Sequence, residues 1–357
     1  MAELDRLFKF LLKRGGSDLH LASNTRPMIR LNGNMAALNA EPYKPEALEK
    51  LLLEIMPARN KEEYQETGDT DFAYELPDTA RFRCNAYRDR HGPGGAFRLI
   101  PSKVLTVDDL GLPEAVRRFC ELPKGLVLVT GPTGSGKSTT LAAMIDLINC
   151  TRKDHIITIE DPIEFVHENK MCMINQREVH SHTDSFARAL RAALREDPDI
   201  VLVGEMRDLE TSHIAIETAE TGHLVLGTLH TTSAASTVDR FIDQFPTNQQ
   251  EQIRTMLSTS LKGIIAQTLL RRRDGDGRVA AFEVLVVNTA VQNNIREGKT
   301  HQIPSLMQIS AKLGMVCLND AILKLVMDDK VDASEALSRA VDKNDLRQRL
   351  KVAGFQV

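Results

Sequence analysis

Residues 131–138 read GPTGSGKS, which is the complete G-x-x-x-x-G-K-S pattern of a phosphate-binding loop. Glycines at this spacing let the backbone curl until successive N–H groups point at phosphate oxygens, and the helix that follows adds its positive end. An apolar run at 126–129 precedes the pattern, and a helical pattern at 141–148 follows it. This strand–loop–helix context predicts a site for ATP or GTP.

The side chains of the loop have distinct expected tasks. Lys137 is expected to reach the β and γ phosphates, Ser138 to place its hydroxyl on Mg²⁺, and Thr139 to lie near the α phosphate. ATP with Mg²⁺ is therefore the predicted ligand pair. The residues expected to bind them are Thr133, Gly134, Ser135, Gly136, Lys137, Ser138 and Thr139.

Carboxylates follow a second apolar run, 156–159. Glu160, Asp161 and Glu164 are three carboxylates within five residues. Such a group is often only a charged surface turn. At the end of a strand beside a Mg-nucleotide, however, it can orient metal-bound water or accept its proton. Glu160 and Glu164 are therefore candidate catalytic residues.

A second acidic motif, Gly204-Glu205, stands where many phosphate-loop enzymes carry Asp followed by Glu. With glycine at the Asp position, Mg²⁺ is expected to be held chiefly by Ser138, phosphate oxygens and water, with Glu205 acting on it through water. Glu205 is then the first candidate to polarise the attacking water, and Glu160 is its rival. The alternative is that Glu205 only pairs with Arg207.

Two histidines, His223 and His230, stand at the two ends of the apolar run 224–229. Two histidines seven residues apart, without a neighbouring cysteine or third ligand, make a poor metal site. Either imidazole is able to hydrogen-bond the γ phosphate and report hydrolysis, or to serve as a structural histidine. Both are candidate catalytic residues.

Arginines cluster within the first hundred residues. In the stretch Arg81-Phe82-Arg83, both guanidinium groups are expected on one face of a strand. The cluster is either a solvated basic face or a set of arginine fingers that neutralise charge in a transition state. Its members are Arg81, Arg83, Arg88, Arg90 and Arg98.

Composition narrows the class of protein. A chain of 357 residues favours two domains over one, and a net charge of −4 with a pI near 6.2 disfavours nucleic acid as a partner. Five scattered cysteines without a C-x-x-C pair indicate neither a zinc module nor a disulfide framework. Since the sequence has no apolar stretch of about 20 residues and no apolar leader, we expect a cytosolic protein.

The N-terminal part predicts a small α+β domain over residues 1–101, followed by a linker at 102–113. Its first helical pattern stops at Gly15-Gly16, because paired glycines end a helix. The expected elements are a helix from Leu4 to Leu12, strands near 19–21 and 28–31, a turn at Asn32-Gly33, a helix over 46–55, and two strands over 79–101 joined by a loop at 91–95.

Residues 114–357 predict an α/β domain, because short apolar runs alternate with helical stretches and indicate a mainly parallel sheet covered on both faces. Ligands of such sheets bind beyond the carboxyl ends of the strands, where the loop and both acidic motifs fall. The apolar stripe at 253–265 is expected to be one core-packed helix, the run 279–287 a strand, and the remainder mostly helical. The expected sheet strands are 126–129, 156–159, 200–203 and 224–229.

Four of these features together resemble the secretion ATPase superfamily. Within it the chain resembles the type IV pilus retraction ATPases, the PilT-like twitching motility group, from the GSDLHL stretch at 16–21 to the IREGK stretch at 295–299. The resemblance implies a RecA-like ATPase domain preceded by a PAS-like domain. The four features are the phosphate loop, the aspartate-rich box 159–164, the Gly-Glu motif 204–205 and the histidine box 221–230.

The same resemblance implies a function. Members form homohexameric rings in which the PAS-like domain packs on the RecA-like domain of the next subunit, and ATP hydrolysis rotates the domains. This motion acts on an inner-membrane platform protein and removes pilin from the pilus base, so the expected location is the cytoplasmic face of the inner membrane. A second retraction ATPase is a further expected partner. By position the site comprises Lys137, Ser138, Glu160, Glu164, Glu205, His223, His230, Arg81, Arg83 and Arg98.

One element departs from the family pattern. The C-terminal signature usually reads AIRNLIRE, whereas residues 290–297 read AVQNNIRE, with Gln292 in place of the first arginine and Asn294 in place of leucine. Because the resemblance ties this element to retraction, an accessory or regulatory paralogue with low ATPase activity in a retraction motor stays open as an alternative. A pilus-assembly or type II secretion ATPase is a further alternative, because those proteins resemble this sequence in the nucleotide motifs.

Overall fold

The computed structural model describes residues 3–31, 34–77, 79–100, 104–275 and 277–356. The chain divides into two compact units, Met1–Lys103 and Val104–Val357. The expected turn at Asn32-Gly33 and the expected domain end at Pro101 lie outside the described residues. The described part of the expected linker, 104–113, contains a turn at 107–111 and neither helix nor strand.

The first unit contains a six-stranded antiparallel sheet and three helices within the described residues. Its elements are α1 (Glu3–Arg14), β1 (Asp18–Ala22), β2 (Met28–Leu31), β3 (Asn34–Ala37), α2 (Pro45–Ile55), α3 (Ala58–Thr67), β4 (Asp69–Leu76), β5 (Ala80–Asp89) and β6 (Gly92–Ile100). The strand order in the sheet is β3-β2-β1-β6-β5-β4.

Helix α1 carries the expected apolar stripe into the core of this unit. Leu4, Phe8 and Leu11 recur at helical spacing and are fully buried. The Phe8 ring stacks on Phe82 of β5 with 4.1 Å between ring centroids. The bounds of the elements confirm the expected helices α1 and α2 and the expected strands β1 and β2. Helix α3 and strands β3 and β4 were not predicted from the sequence.

The strand pair near 79–101 is confirmed, but the loop expected at 91–95 is wrong. The β5–β6 ladder continues to the pair Asp89 and Gly92, so the turn between the strands consists of Arg90 and His91. Gly94 and Gly95 belong to β6 because this strand pairs on both sides, with β5 and with β1. A glycine-rich stretch therefore forms a central strand here and not a loop.

The second unit is built on a seven-stranded sheet. Its first half contains α4 (Glu114–Cys120), β7 (Gly125–Thr130), α5 (Lys137–Thr151), β8 (His155–Glu160), β9 (Met173–Glu178), α6 (Phe186–Ala193), β10 (Ile200–Val203), α7 (Leu209–Glu220) and β11 (Leu224–Leu229). Its second half contains α8 (Ala234–Asp243), α9 (Gln250–Ser260), β12 (Leu261–Arg271), β13 (Arg278–Val286), α10 (Thr289–Arg296), α11 (Ile303–Ile309), α12 (Leu318–Met327), α13 (Ala333–Arg339) and α14 (Lys343–Val352).

The strand order is β13-β12-β7-β11-β10-β8-β9, with only the β12–β13 pair antiparallel. All four expected strands are present, and the expected mainly parallel sheet is confirmed. Strands β7, β11, β10 and β8 are consecutive in the sheet, so their carboxyl ends lie side by side along one edge. Each of these four ends leads directly into one of the motifs found in the sequence.

The single helix expected over 253–265 is wrong in its second half. Ile253 and Leu257 lie on α9, but the helix ends at Ser260, and Leu261 begins strand β12, which pairs with β7. Residues of this strand are buried on both faces. A continuous apolar run has no period that separates a buried helix from a buried strand, which explains the error. The strand expected at 279–287 is confirmed as β13.

Every helix in the described part of the chain is too short or too polar to span a bilayer.

Candidate functional site

The phosphate-binding loop joins β7 to α5 in a backbone conformation that suits glycine. Gly131, Gly134 and Gly136 have φ values of +149°, +75° and +90°, and Gly136 caps the amino end of α5. A Cβ on Gly131 would lie 2.4 Å from the carbonyl oxygen of Gln267 and 2.5 Å from Ser135 Oγ. The loop thus curls tightly against β12 and leads into a helix N-terminus, which is the arrangement that binds phosphate.

Lys137 lies at the centre of the polar contacts around the loop. Its Nζ donates to the carbonyl of Gly131 at 2.9 Å and lies 3.4 Å from His230 Nδ1. Partial burial lowers the pKa of Lys137, and the nearby carboxylates of Glu205 and Glu164 act in the opposite direction. The sequence motif and the geometry agree on Lys137 as the cation for a bound phosphate.

Glu205 follows β10 and meets two side chains. Its Oε1 lies 2.8 Å from Nε2 of His230, and the same oxygen pairs with Nε of Arg207. The Glu205 side chain is 18% exposed, whereas Arg207 is 75% exposed. The pair with Arg207 that was expected as an alternative is therefore present, but Glu205 contacts the exposed His230 as well.

Gly204 occupies the position where many phosphate-loop enzymes carry aspartate, and the neighbouring strand leaves little room for a larger residue. Its N–H donates to the carbonyl of Ile159 at 2.7 Å. A Cβ at residue 204 would lie 3.1 Å from that carbonyl oxygen and 3.2 Å from Glu160 Cα. Glycine here allows the ends of β8 and β10 to approach each other closely.

Thr228 of β11 fixes the peptide that carries Glu205. Its hydroxyl donates to the carbonyl of Gly204 at 2.5 Å, and its own carbonyl accepts from the N–H of Met206 at 3.1 Å. Thr228 lies two residues before His230. The end of β11 therefore contacts the Glu205 carboxylate through His230 and holds the backbone on both sides of Glu205 through Thr228. Thr228 belongs to the histidine box but was not predicted as a site residue from the sequence.

Glu160 lies at the end of β8, in a network separate from Glu205. Its Oε1 accepts from Thr158 Oγ1 at 2.6 Å and from Gln176 Nε2 at 3.2 Å. Burial raises the pKa of Glu160, against these hydrogen bonds and one from the backbone of Glu164. The exposed Glu164 is close enough to act on both Lys137 and Glu160. The two rival carboxylates thus have different surroundings, and Glu205 is the one in contact with His230.

The loop that carries the aspartate-rich box is held by Glu178 of β9, which the sequence analysis did not identify. The Glu178 carboxylate is buried and accepts from the backbone N–H of Ile163 at 3.0 Å and from Ser181 Oγ at 2.9 Å. Strand β9 reads MINQRE and has little apolar signal, so neither the strand nor its buried carboxylate was visible from the pattern.

His223 is not brought to the loop within this chain. Its Nδ1 lies 3.1 Å from the carbonyl of Thr218, and its own carbonyl accepts from the N–H of Gly125, the first residue of β7. The whole of β11 separates it from His230, and six strand residues span about 20 Å. Of the two expected histidines, the structure brings only His230 together with Lys137 and Glu205.

The expected arginines lie in the first unit. Arg81 and Arg83 alternate with the buried Phe82 and Cys84, so both project from one face of β5, as expected. Arg98 of β6 lies directly opposite Arg83 in the register of the two strands. Its Nε donates to Asp18 Oδ1 at 2.8 Å. The structure brings the three arginines onto one face of the sheet.

Other arginines of the cluster have contacts of their own. Arg88 pairs with Glu49, and its guanidinium lies 5.0 Å from the centre of the Tyr64 ring. Arg90 donates to His91 in the turn at 2.9 Å. We therefore assign Arg88 and Arg90 to the surface of the first unit.

The donor set around the loop fits Mg²⁺ only together with phosphate. Within the described ranges, no group of three or more His, Cys, Asp or Glu side chains could hold a metal. Ser138, in the first turn of α5, and Glu205 supply oxygen donors, which Mg²⁺ prefers. Mg²⁺ in phosphate-transfer sites typically keeps several waters and binds one or two protein oxygens plus substrate phosphates, so these two residues are sufficient.

The model of the type II/IV secretion system protein family matches residues 2–338. The chain belongs to this family. Among relatives in the type II/IV secretion family, the type IV pilus retraction ATPase PilT of Pseudomonas aeruginosa is 51% identical over 95% of this chain and 98% of its own length. A twitching motility protein of Neisseria gonorrhoeae is 50% identical over 90% of this chain and 86% of its own.

A solved member of the type II/IV secretion family has the same fold. The crystal structure of the pilus retraction motor PilT with bound ADP matches with a TM-score of 0.91 and 45% identity, over 98% of this chain and 99% of that one. The type IV pilus ATPase PilU of Pseudomonas aeruginosa is 37% identical over 98% of this chain and 92% of its own length. The expected family and the expected RecA-like fold with an N-terminal domain are confirmed, and the protein binds nucleotide.

Proposed function

We propose that this chain is an ATPase motor that drives retraction of type IV pili. The observation that carries the proposal is the contact series Lys137–His230–Glu205, which joins the phosphate-loop cation to a shielded carboxylate across three strand ends. The 51% identity to PilT over nearly the full length of both chains gives this ATPase site its biological role. ATP is the substrate, and hydrolysis supplies the work of retraction.

The residues divide the work of hydrolysis among them. The curled loop from Thr133 to Thr139 binds the phosphates through backbone N–H groups, and Lys137 neutralises their charge. Glu205 orients the attacking water and accepts its hydrogen bond, while His230 holds the carboxylate in place. Mg²⁺, held by Ser138 with Glu205 acting through water, would neutralise charge that develops on the phosphates.

Glu160 and Glu164 are proposed to complete the polar edge without acting as the base. The carboxylate of Glu160 already accepts hydrogen bonds from Thr158 and Gln176, which hold it in a network of its own. Glu164 is exposed and contributes negative charge near Lys137. Both residues then tune the charge of the site.

The arginines of the first unit are proposed to act between subunits of a homohexamer. Arg81, Arg83 and Arg98 share one sheet face. Asp18 accepts from Nε of Arg98, and within the described residues the outer nitrogens of that guanidinium are left for another partner. In a ring, such a face supplies positive charge to a nucleotide bound by a neighbouring copy. The proposed partners beyond the ring are an inner-membrane platform protein and a second retraction ATPase, and the proposed location is the cytoplasmic face of the inner membrane.

A second candidate function is an accessory paralogue with low ATPase activity. The observation that favours it is the altered element in α10, where Gln292 and Asn294 replace the family's arginine and leucine. The buried residues of that helix, Val291 and Ile295, remain apolar, so the change lies in the residues between them. The intact Lys137–His230–Glu205 series favours the motor over this alternative.

The experiment is ATP hydrolysis by purified protein, with the mass in solution measured with and without nucleotide. Wild type is compared with Glu205→Gln and with Glu210→Gln, a matched change at an exposed carboxylate on α7. Hexamers whose turnover collapses only in Glu205→Gln support the motor, and loss of pilus retraction in cells with the same variant supports the biological role. Nucleotide binding with negligible turnover in all three proteins favours the accessory paralogue.

A further inference from the structure

Gln267 of β12 lies next to the phosphate-binding loop although it stands 130 residues further along the chain. Strand β12 runs parallel to β7, and Ala266 is aligned with Thr130, the last residue of β7. Gln267 is therefore one step beyond the paired strands, where the loop begins at Gly131. Its side chain is buried, with 3% exposure.

The amide of Gln267 connects the loop to the helix that follows it. Nε2 donates to the carbonyl of Ser135 at 2.7 Å, and Oε1 accepts from the hydroxyl of Thr140 at 2.8 Å. Ser135 and Thr140 are themselves buried. The Gln267 amide thus forms hydrogen bonds at both its nitrogen and its oxygen, with residues that flank Lys137 and Ser138 in the sequence. We call these two hydrogen bonds of Gln267, with Ser135 and Thr140, the amide clamp.

The amide clamp has a direct effect on the direction of a backbone N–H. In a trans peptide the C=O of one residue and the N–H of the next point in opposite directions. Because the Ser135 carbonyl is turned toward β12, the N–H of Gly136 is turned away from β12. An anion-binding loop depends on such N–H groups facing the ligand and not the protein interior.

Strand β12 also determines how closely the phosphate-binding loop packs against Gln267. The carbonyl oxygen of Gln267 is 2.4 Å from the place where a Cβ on Gly131 would be, and its Nε2 is 3.2 Å from the corresponding place on Gly136. Two glycines of the motif are therefore needed for packing against Gln267 as well as for their backbone angles. The loop and this residue fit one another as a pair.

We propose that Gln267 is a positioning residue for phosphate binding, which holds the Ser135–Gly136 peptide and the first turn of α5 in the orientation that the β phosphate requires. This inference rests on the proposed ATPase function and names a residue outside the sequence motif. It predicts that the clamp contributes to affinity for the phosphates of a nucleotide and not for its nucleoside.

The test uses variants that remove one or both ends of the clamp. Gln267→Met keeps the length of the side chain and removes both hydrogen bonds, Thr140→Val removes only the bond at the helix, and Thr140→Ser restores it. Thr268→Val is the control, because adjacent residues of a strand point to opposite faces. Affinities for ADP and for adenosine are measured by competition with a fluorescent ADP, and the kcat and KM for ATP are measured in parallel.

We expect Gln267→Met to weaken ADP binding by about tenfold and Thr140→Val by about threefold, as loss of buried hydrogen bonds predicts. Adenosine affinity should be unchanged, and Thr140→Ser and Thr268→Val should bind ADP like wild type. If Gln267→Met does not fold, the Thr140 pair still decides the question.

Equal ADP affinity in all variants, or parallel losses for ADP and adenosine, would overturn the inference while leaving the ATPase function intact. A wild-type protein that neither binds ADP nor hydrolyses ATP would instead refute the proposed function itself.

Discussion

His230 Nε2 lies 2.8 Å from Glu205 Oε1, so the residue that ends the histidine box holds the carboxylate of the neighbouring motif. On the other side of the ring, Nδ1 lies 3.4 Å from the ammonium group of Lys137. Because an ammonium group only donates, Nδ1 accepts and Nε2–H donates to the carboxylate. The imidazole therefore lies between the ammonium group of Lys137, the proposed phosphate-binding cation, and the carboxylate of Glu205, the proposed water-orienting group.

The two histidines should differ sharply when substituted. His230→Asn removes the link between Lys137 and Glu205, so we expect kcat to fall by about 100-fold, the lower end of the range for groups that act on proton transfer. His223→Asn should change kcat by less than about threefold if each site uses residues of its own subunit, since the whole of β11 separates His223 from the loop. Steady-state ATP hydrolysis checks both values. Equal losses would mean that His223 reaches a site in a neighbouring subunit.

Thr228 should be needed for the position of Glu205 and not for nucleotide affinity. Thr228→Val removes the hydroxyl that donates to the Gly204 carbonyl, so the peptide before Glu205 loses its anchor. We expect kcat to fall by about tenfold, which is the rate equivalent of one buried hydrogen bond, while the affinity for ADP stays at the wild-type value. Thr228→Ser should restore turnover. A loss of ADP affinity instead of kcat would contradict this role.

Gly204→Ala should destabilise the second unit, because a methyl group there would lie 3.1 Å from the Ile159 carbonyl oxygen. Overpacking of this kind costs about 1–3 kcal/mol in the free energy of unfolding. Urea unfolding of wild type and variant, with the slope of the transition compared, measures the difference. An unchanged midpoint would show that β8 and β10 separate without cost.

His167 should make the protein sensitive to mild acid. Burial lowers the pKa of His167 to about 4 from the ordinary value of 6.5, and its Nδ1 has no hydrogen-bond partner within the described residues. His167 is therefore protonated near pH 6.5 in the unfolded chain but only near pH 4 in the folded chain. The free energy of unfolding falls as the pH falls between these two values. From pH 7.5 to pH 5 the expected loss is about 2 kcal/mol.

Urea unfolding at pH 7.5 and pH 5 checks the role of His167. His167→Phe keeps a ring in the site but has no group to protonate, so its stability should fall less than that of wild type over this range. His301→Phe, at an exposed position, is the matched control and should follow wild type. Identical pH dependence of wild type and His167→Phe would exclude His167 as the source.

The strands that form the candidate site were predictable because each is an apolar run of only four to six residues, which is too short for a typical buried helix. The site residues at their ends followed from the rule that parallel strands end at one edge. Strand β9 and helix α3 were not predictable, because each has few buried apolar residues: Ile174 in the strand and Tyr64 in the helix.

Contacts between distant parts of the chain account for the rest of the site. Gln267 is a buried polar residue whose partners lie in a distant part of the chain, and Glu178 is a buried carboxylate that holds Ile163 of the preceding loop. A single sequence carries no sign of either contact. The placement of His223 is different, since the length of the strand between the two histidines already implied that they lie at opposite edges of the sheet.

Gly204 has a consequence for how this site can change over time. The aspartate found at this position in many phosphate-loop enzymes needs a Cβ, and here that atom would meet the backbone of the neighbouring strand at Ile159 and Glu160. Gly204→Asp by itself would therefore crowd β8 while it adds a carboxylate. A change that shifts β8 must come before it. Descendants of this sequence that remain active are therefore expected to keep glycine at residue 204 and to rely on Glu205 as the carboxylate of this motif.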